Sequence, residues 1–183
     1  MREPKAWKVI ESKLIIDHPF IHVRDDLLEH PDDGRRFHYF YLESPSDAVA
    51  TVPLTEDGCV ILTRQYRHPI GRVIYDLPAG RPKAGESPQQ AAARELQEET
   101  GYLAAKWQKL AYFNQFPGAI QVGTYLFLAQ ELTSGEQNLD RYEDLEVVKM
   151  PFAEAMDLVM GGQVIDGSMI LGLLLVVQKG LAP

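Results

Sequence analysis

A disulfide, a membrane-length apolar run and an excess of positive charge are all missing from this chain of 183 residues. Its single cysteine, Cys59, excludes an intrachain disulfide and with it the small secreted scaffolds that rely on such staples. Cys59 lies in the apolar stretch Gly58–Leu62 and reads as a small buried hydrophobe. The longest apolar run, Met169–Val177, is well short of the ~20 residues a membrane helix needs; a buried C-terminal helix is expected there. The opening MREPKAWKVIESK lacks the apolar centre of a secretory leader. A cytoplasmic location is the expectation, and the lone cysteine fits it. Lys and Arg number 18 against 26 Asp and Glu, for a net charge of −8. A chain this acidic is a poor non-specific partner for nucleic acid or an anionic membrane, so neither is expected. An anionic substrate would need a local basic patch or bound cations. The sequence has no internal repeat and no Walker-type glycine loop, and His18, His22, His30, His38 and His68 follow no metal-ligand spacing.

What is present is an ordinary globular balance, 45% hydrophobic and 24% charged, enough for one full core. The first half reads as strands: Trp7–Ile16, Phe20–Leu28 and Arg36–Leu42, the last two joined through the turn cluster His30–Gly34. Ser44-Pro45-Ser46-Asp47 is a candidate boundary, which divides the chain into an N-terminal β element, 1–46, and a main domain, 47–183. Further strands are expected at Ala48–Leu54, Cys59–Gln65, Val73–Leu77, Lys106–Asn114, Thr124–Leu132 and Leu145–Met150. Ser134–Asp144 is polar and loop-like, and Phe152–Met160 and Ser168–Gln178 read as helices. The strongest helical segment is Pro88–Thr100. Ser87 and Gln90 form a capping box, Pro88 suits the first turn, and Gly101 suits the position past the end. Strands on both sides of one long helix, with helices again at the end, indicate an α+β or α/β sandwich.

On the Pro88–Thr100 helix, Glu95, Glu98 and Glu99 stand at i, i+3 and i+4 and so share one arc. Pro88 and Ala91 share that arc, so nothing bulky covers it; Ala92, Ala93, Leu96 and Thr100 form the adjacent arc, which is expected to pack on a sheet. Each like-charge pair costs roughly 0.2–0.5 kcal/mol. A divalent cation would reverse that cost, and all-oxygen ligation suits Mg²⁺ or Mn²⁺ over zinc. Without further signals the same glutamates could be a solvated acidic face.

The spacing supplies the further signal. Gly80, Glu86, Arg94-Glu95-Leu96, Glu98-Glu99 and Gly101 read Gly-x5-Glu-x7-Arg-Glu-Leu-x-Glu-Glu-x-Gly, which resembles the complete Nudix box, with Tyr102 where an aliphatic residue is usual. The resemblance implies an α/β/α sandwich with a mixed sheet, preceded by an antiparallel β element used in dimerisation. It implies hydrolysis of a nucleoside diphosphate linked to another group. Glu95, Glu98, Glu99 and the carbonyl of Ala79 match the metal ligands. Glu86 matches a supporting glutamate of the loop, Arg94 the arginine that orients the acids, and Gly80 the glycine that opens the loop.

The flanks are similar to the ADP-ribose pyrophosphatase group: Arg64-Gln65-Tyr66-Arg67, Tyr75-Asp76-Leu77-Pro78-Ala79-Gly80, Phe116-Pro117-Gly118 and Gly162-Gln163-Val164-Ile165-Asp166-Gly167. Relatives that hydrolyse GDP-mannose share nearly all of these. Asp76 stands for a usual Glu, Phe116 for a Ser, and Val122 for a Glu beside the sugar end, which leaves the sugar open. The resemblance implies that Arg67 meets phosphate or ribose, with Arg64 as a second candidate, the alternative for each being a surface arginine. It implies a homodimer in which Phe20 and Tyr39 stack on the base; hairpin packing is their alternative role. Pro117 and Gly118 match its substrate loop. In the loop Ser134–Asp144, Glu143 matches the residue that takes the proton from water, with Glu98 and Glu146 as rivals. The expected substrate is ADP-ribose or a related nucleoside diphosphate sugar, with GDP-mannose as the alternative. A non-hydrolytic ligand sensor is the reading from another class.

Overall fold

The computed structural model describes residues 3–183, and the first two residues of the opening stretch lie outside the described residues. Two compact units divide the chain. The first comprises the chain up to Asp47 together with Asn114–Gly123; the second comprises Ala48–Phe113 and Thr124–Pro183. The expected division, after residue 46, placed Asp47 and Asn114–Gly123 with the main domain, whereas here they group with the first unit. The segment Asn114–Gly123 belongs to the first unit because Leu42 and Glu43 pair in parallel with Ile120 and Gln121. A strand of two residues carries no periodicity by which a sequence could announce it.

In the first unit, β1 (Lys8–His18), β2 (Ile21–Glu29) and β3 (Arg36–Glu43) form an antiparallel meander, and β9 (Ile120–Gln121) adds to β3. Every residue of β1 is exposed within the chain, including Val9, Leu14, Ile15 and Ile16. A strand that buries neither face has no hydrophobic reason of its own to hold its place.

In the second unit, β4 (Ala48–Pro53), β5 (Cys59–Arg67), β6 (Arg72–Asp76), β7 (Ala79–Gly80), β8 (Tyr102–Phe113), β10 (Thr124–Ser134) and β11 (Leu145–Pro151) make two sheets, ordered β7-β4-β10-β8 and β11-β5-β6. The first is mixed, because β4 and β10 run parallel. β4 and β5 part into different sheets after a single bridge, Leu54 to Val60. Side chains that alternate along β4 and β10 fill two cores. Val49 and Phe127 meet Ala91 and Ala92 of α1 (Pro88–Thr100), while Ala50, Val52, Leu126 and Leu128 meet Met169, Leu173 and Val176 of α3 (Gly167–Gln178). A sheet covered on both faces reads as near-continuous apolar runs, as β4 and β10 do. α2 (Phe152–Met160) buries Phe152 and Ala155 in the α3 core. At Gly172 of α3 an added Cβ would come within 2.6 Å of Val52, so helix and sheet approach closely there. Cys59 is only partly buried. No helix among the described residues is long and apolar enough to cross a membrane.

Candidate active site

The local chemistry of α1 fixes where its carboxylates point. Ser87 Oγ accepts from the Gln90 N–H and the Gln90 side chain accepts from the Ser87 N–H, so the capping box is closed at the helix start. Gly101 adopts φ 74° and donates its N–H to the Gln97 carbonyl at 2.8 Å, ending the helix. Ala91 is buried against the sheet and does not belong to the open arc expected from its helical position. The acids remain on that arc.

Arg94 organises them. Its Nε and Nη2 grip both oxygens of Glu86 at 2.8 and 3.1 Å. Nη1 donates to Glu95 at 2.9 Å and Glu98 at 2.7 Å, and Nη2 donates to the Arg81 carbonyl at 2.9 Å. One guanidinium thus joins the loop after Gly80 to two carboxylates of the helix, in a fork geometry that lysine cannot reproduce. This grip, with the Lys83 N–H at 2.8 Å, holds the Glu86 carboxyl down at about 2. Lys83 Nζ also reaches Glu98 at 3.2 Å.

Glu99 is only 5% exposed and accepts the Ala79 N–H at 3.1 Å. Burial pushes its carboxyl up to about 8, helped by the nearby carboxylates of Glu95, Glu143 and Asp76. Burial likewise raises Glu95, with Arg94 working against the rise and Glu98 and Glu143 adding to it. Glu143 is therefore near enough to be felt by both helix acids, although it sits in an exposed loop with its carboxylate on the Asp140 N–H at 2.9 Å. β7 lies beside β4, pairing Ala79 with Ala50 and Gly80 with Val49. An added Cβ on Gly80 would fall 2.2 Å from the Glu95 carboxylate, so only glycine leaves that carboxylate its place.

The residues present suit a hard divalent cation. Among the described residues no ready-made group of three metal-ligating side chains converges; Arg94 stands among the acids and holds Glu95 and Glu98 by one oxygen each. The donors are nonetheless all oxygen, and burial disfavours the charge on the buried Glu99 and the partly buried Glu95 without a cation.

The other expected residues are distributed as follows. Arg67 donates Nε at 2.9 Å and Nη2 at 2.5 Å to Asp76, which is 3% exposed and also accepts from Thr63 and Gln65. Arg64 pairs with Glu146 at 3.0 Å and lies 6.0 Å from the centre of the Tyr75 ring. In the first unit, Tyr39 donates its hydroxyl to the Gly118 carbonyl at 2.5 Å. Tyr39 and Pro117 line a pocket of about 320 Å³ with Leu28, Tyr41, Asn114 and Ile120. Phe20 stands apart at the β1–β2 turn, 70% exposed, beside His18. Lys83 has no functional signal in the sequence beyond its place inside the box, and Asp76 is marked there only as standing for a usual Glu.

The fold and this carboxylate cluster define the class: residues 44–168 match the NUDIX domain family, and the chain belongs to it. Similarity is 40% identity over 121 residues to the ADP-ribose pyrophosphatase of Bacillus subtilis, covering 65% of each chain. It is 29% over 175 residues to the GDP-mannose pyrophosphatase of Pectobacterium atrosepticum, covering 89% of this chain and 90% of that one. A crystal structure of an ADP compounds hydrolase superposes with a TM-score of 0.87 at 26% identity, over 98% of both chains.

Proposed function

We propose that this protein hydrolyses the pyrophosphate bond of ADP-ribose or a related nucleoside diphosphate sugar, giving a nucleoside monophosphate and a sugar phosphate, with Mg²⁺ or Mn²⁺ as the cation. The observation that carries the reading is the carboxylate cluster tied by Arg94, with Glu99 buried beside it. Glu95, Glu98, Glu99 and the carbonyl of Ala79 would hold the cation. When bound, it neutralises charge on the phosphate oxygens as the bond breaks. Arg94 keeps Glu95 and Glu98 oriented, and Glu86 anchors Arg94. Glu143 takes the proton of the attacking water on a carboxylate oxygen, from a loop that can swing in once substrate is present. Asp76 engages Nε and Nη2 of Arg67, so Arg67 would meet a phosphate through Nη1; Arg64 is a second candidate for that contact.

Binding of the base is assigned to Tyr39, Phe20, Pro117 and Gly118. A flat base on an aromatic ring gains about 1–3 kcal/mol. A homodimer is part of this reading, because a second copy of the chain would cover the exposed apolar residues of β1. GDP-mannose is the second reading, favoured by the similarity to the Pectobacterium protein over nearly the whole chain. A phosphatase-coupled phosphate assay on ADP-ribose, GDP-mannose and ADP-glucose separates them. Release from ADP-ribose with Mg²⁺, abolished by chelation, is expected. Absence of release from every sugar nucleotide would favour a binding domain.

A further inference from the structure

The last turn of α1 leaves carbonyls without helical partners, as every helix does. Gly101 satisfies Gln97. The next two are satisfied from a distant segment: the Glu98 carbonyl accepts the Asn138 N–H at 2.9 Å, and the Glu99 carbonyl accepts Nε2 of Gln137 at 2.7 Å. Gly135 adds its N–H to the Gly101 carbonyl at 2.6 Å. The approach depends on two glycines. An added Cβ on Gly135 would lie 2.9 Å from the Gly101 carbonyl oxygen, and one on Gly101 would lie 3.1 Å from the Gln137 nitrogen.

These three residues open the loop that carries Glu143. The far part of the loop is bonded to itself: Glu143 donates its N–H to the Asp140 carbonyl and accepts the Asp140 N–H on its carboxylate, both at 2.9 Å. Leu139 alone separates the part bonded to the helix from the part bonded to itself. The carboxylates of Glu98 and Glu99 and the carbonyls that receive the loop belong to the same two residues.

We propose that Gln137 is a positioning residue, which with the backbone of Gly135 and Asn138 docks the base-bearing loop onto the end of the carboxylate helix. The hinge for Glu143 then lies at Leu139, and Glu143 swings from a root fixed to the residues it must serve. The inference rests on the roles proposed above for Glu143 and the α1 acids; the dock itself is a matter of geometry.

Gln137→Met keeps the length of the side chain and removes the donor, at a site exposed enough for the fold to survive. Gln137→Lys restores a donor and places positive charge at the negative end of a helix. Two readouts are taken on the full-length protein: hydrogen exchange of the Asn138 amide, and kcat and KM for ADP-ribose at saturating Mg²⁺. In Gln137→Met, exchange is expected to speed up and kcat to fall, each by about five- to tenfold, the effect of losing one hydrogen bond. KM stays within about twofold, and Gln137→Lys recovers both readouts. Unchanged Asn138 exchange in Gln137→Met would overturn the dock. Faster exchange with wild-type kcat, or a change in KM alone, would overturn the coupling to Glu143. A wild-type protein inactive on every sugar nucleotide would overturn the functional reading and the coupling together, while the exchange experiment still decides the dock.

Discussion

Replacing Glu99 by glutamine should stabilise the metal-free protein while removing its activity. Glu99 is buried, and its carboxyl is raised from 4.5 to about 8 by desolvation first and by Glu95, Glu143 and Asp76 after it. Between those two pH values the folded chain holds a proton that the unfolded chain has released. Stability contributed by this site is therefore full below about 4.5 and is lost as pH rises through about 8. At about 1.36 kcal/mol per pH unit, the loss has a ceiling of about 5 kcal/mol. Glutamine keeps an oxygen for the Ala79 N–H and carries no charge at any pH. In urea denaturation with a chelator, Glu99→Gln should exceed wild type by about 2–5 kcal/mol at pH 9 and match it near pH 4.5. Adding millimolar Mg²⁺ should stabilise wild type by mass action and leave the variant almost unmoved, with turnover nearly abolished. Equal metal-free stability at pH 9, or equal stabilisation of both proteins by Mg²⁺, would refute the assignment of Glu99 as a buried ligand.

Glu143→Gln should lower kcat by ~10²–10⁴-fold with Mn²⁺ affinity by calorimetry nearly unchanged, whereas Glu98→Gln should disturb both; turnover within a few-fold of wild type would hand the role to an acid of α1. Arg67→Ala leaves the buried Asp76 without its cation and should cost about 2–4 kcal/mol in urea denaturation, most of it recovered by adding Asp76→Asn; no recovery would mean that Arg67 acts elsewhere. The protein should sediment as a homodimer at micromolar concentration, and Tyr39→Ala should raise KM more than it lowers kcat. A fully active 20.6 kDa monomer would count against the dimer.

The parts of the site that were legible in the sequence are those whose partners lie within a few residues. Both ends of α1 could be read because Ser87 with Gln90, and Gly101 with Gln97, settle them locally. The shared arc of Glu95, Glu98 and Glu99 follows from helical geometry alone. What could not be read depends on register between distant segments. Arg67 meets Asp76 only because β5 and β6 pair across their turn, and Gln137 meets the Glu99 carbonyl across 38 residues of chain. Ala91 is too small to declare whether it faces solvent or sheet, and Phe127 and Val49 decide it. β8 begins at Tyr102, ahead of the expected Lys106, because its pairing with β10 carries the ladder on to Ser134. The early part of the Ser134–Asp144 loop reads as polar and loop-like, yet its donors are committed to α1.

The most direct test of the central claim is mass spectrometry of the products formed from ADP-ribose and Mg²⁺ in ¹⁸O-labelled water. Hydrolysis at the pyrophosphate predicts AMP and ribose 5-phosphate, with one labelled oxygen in one of the two products and no reaction in chelator. Intact ADP-ribose after prolonged incubation, or products cut outside the pyrophosphate such as ADP and free ribose, would contradict it.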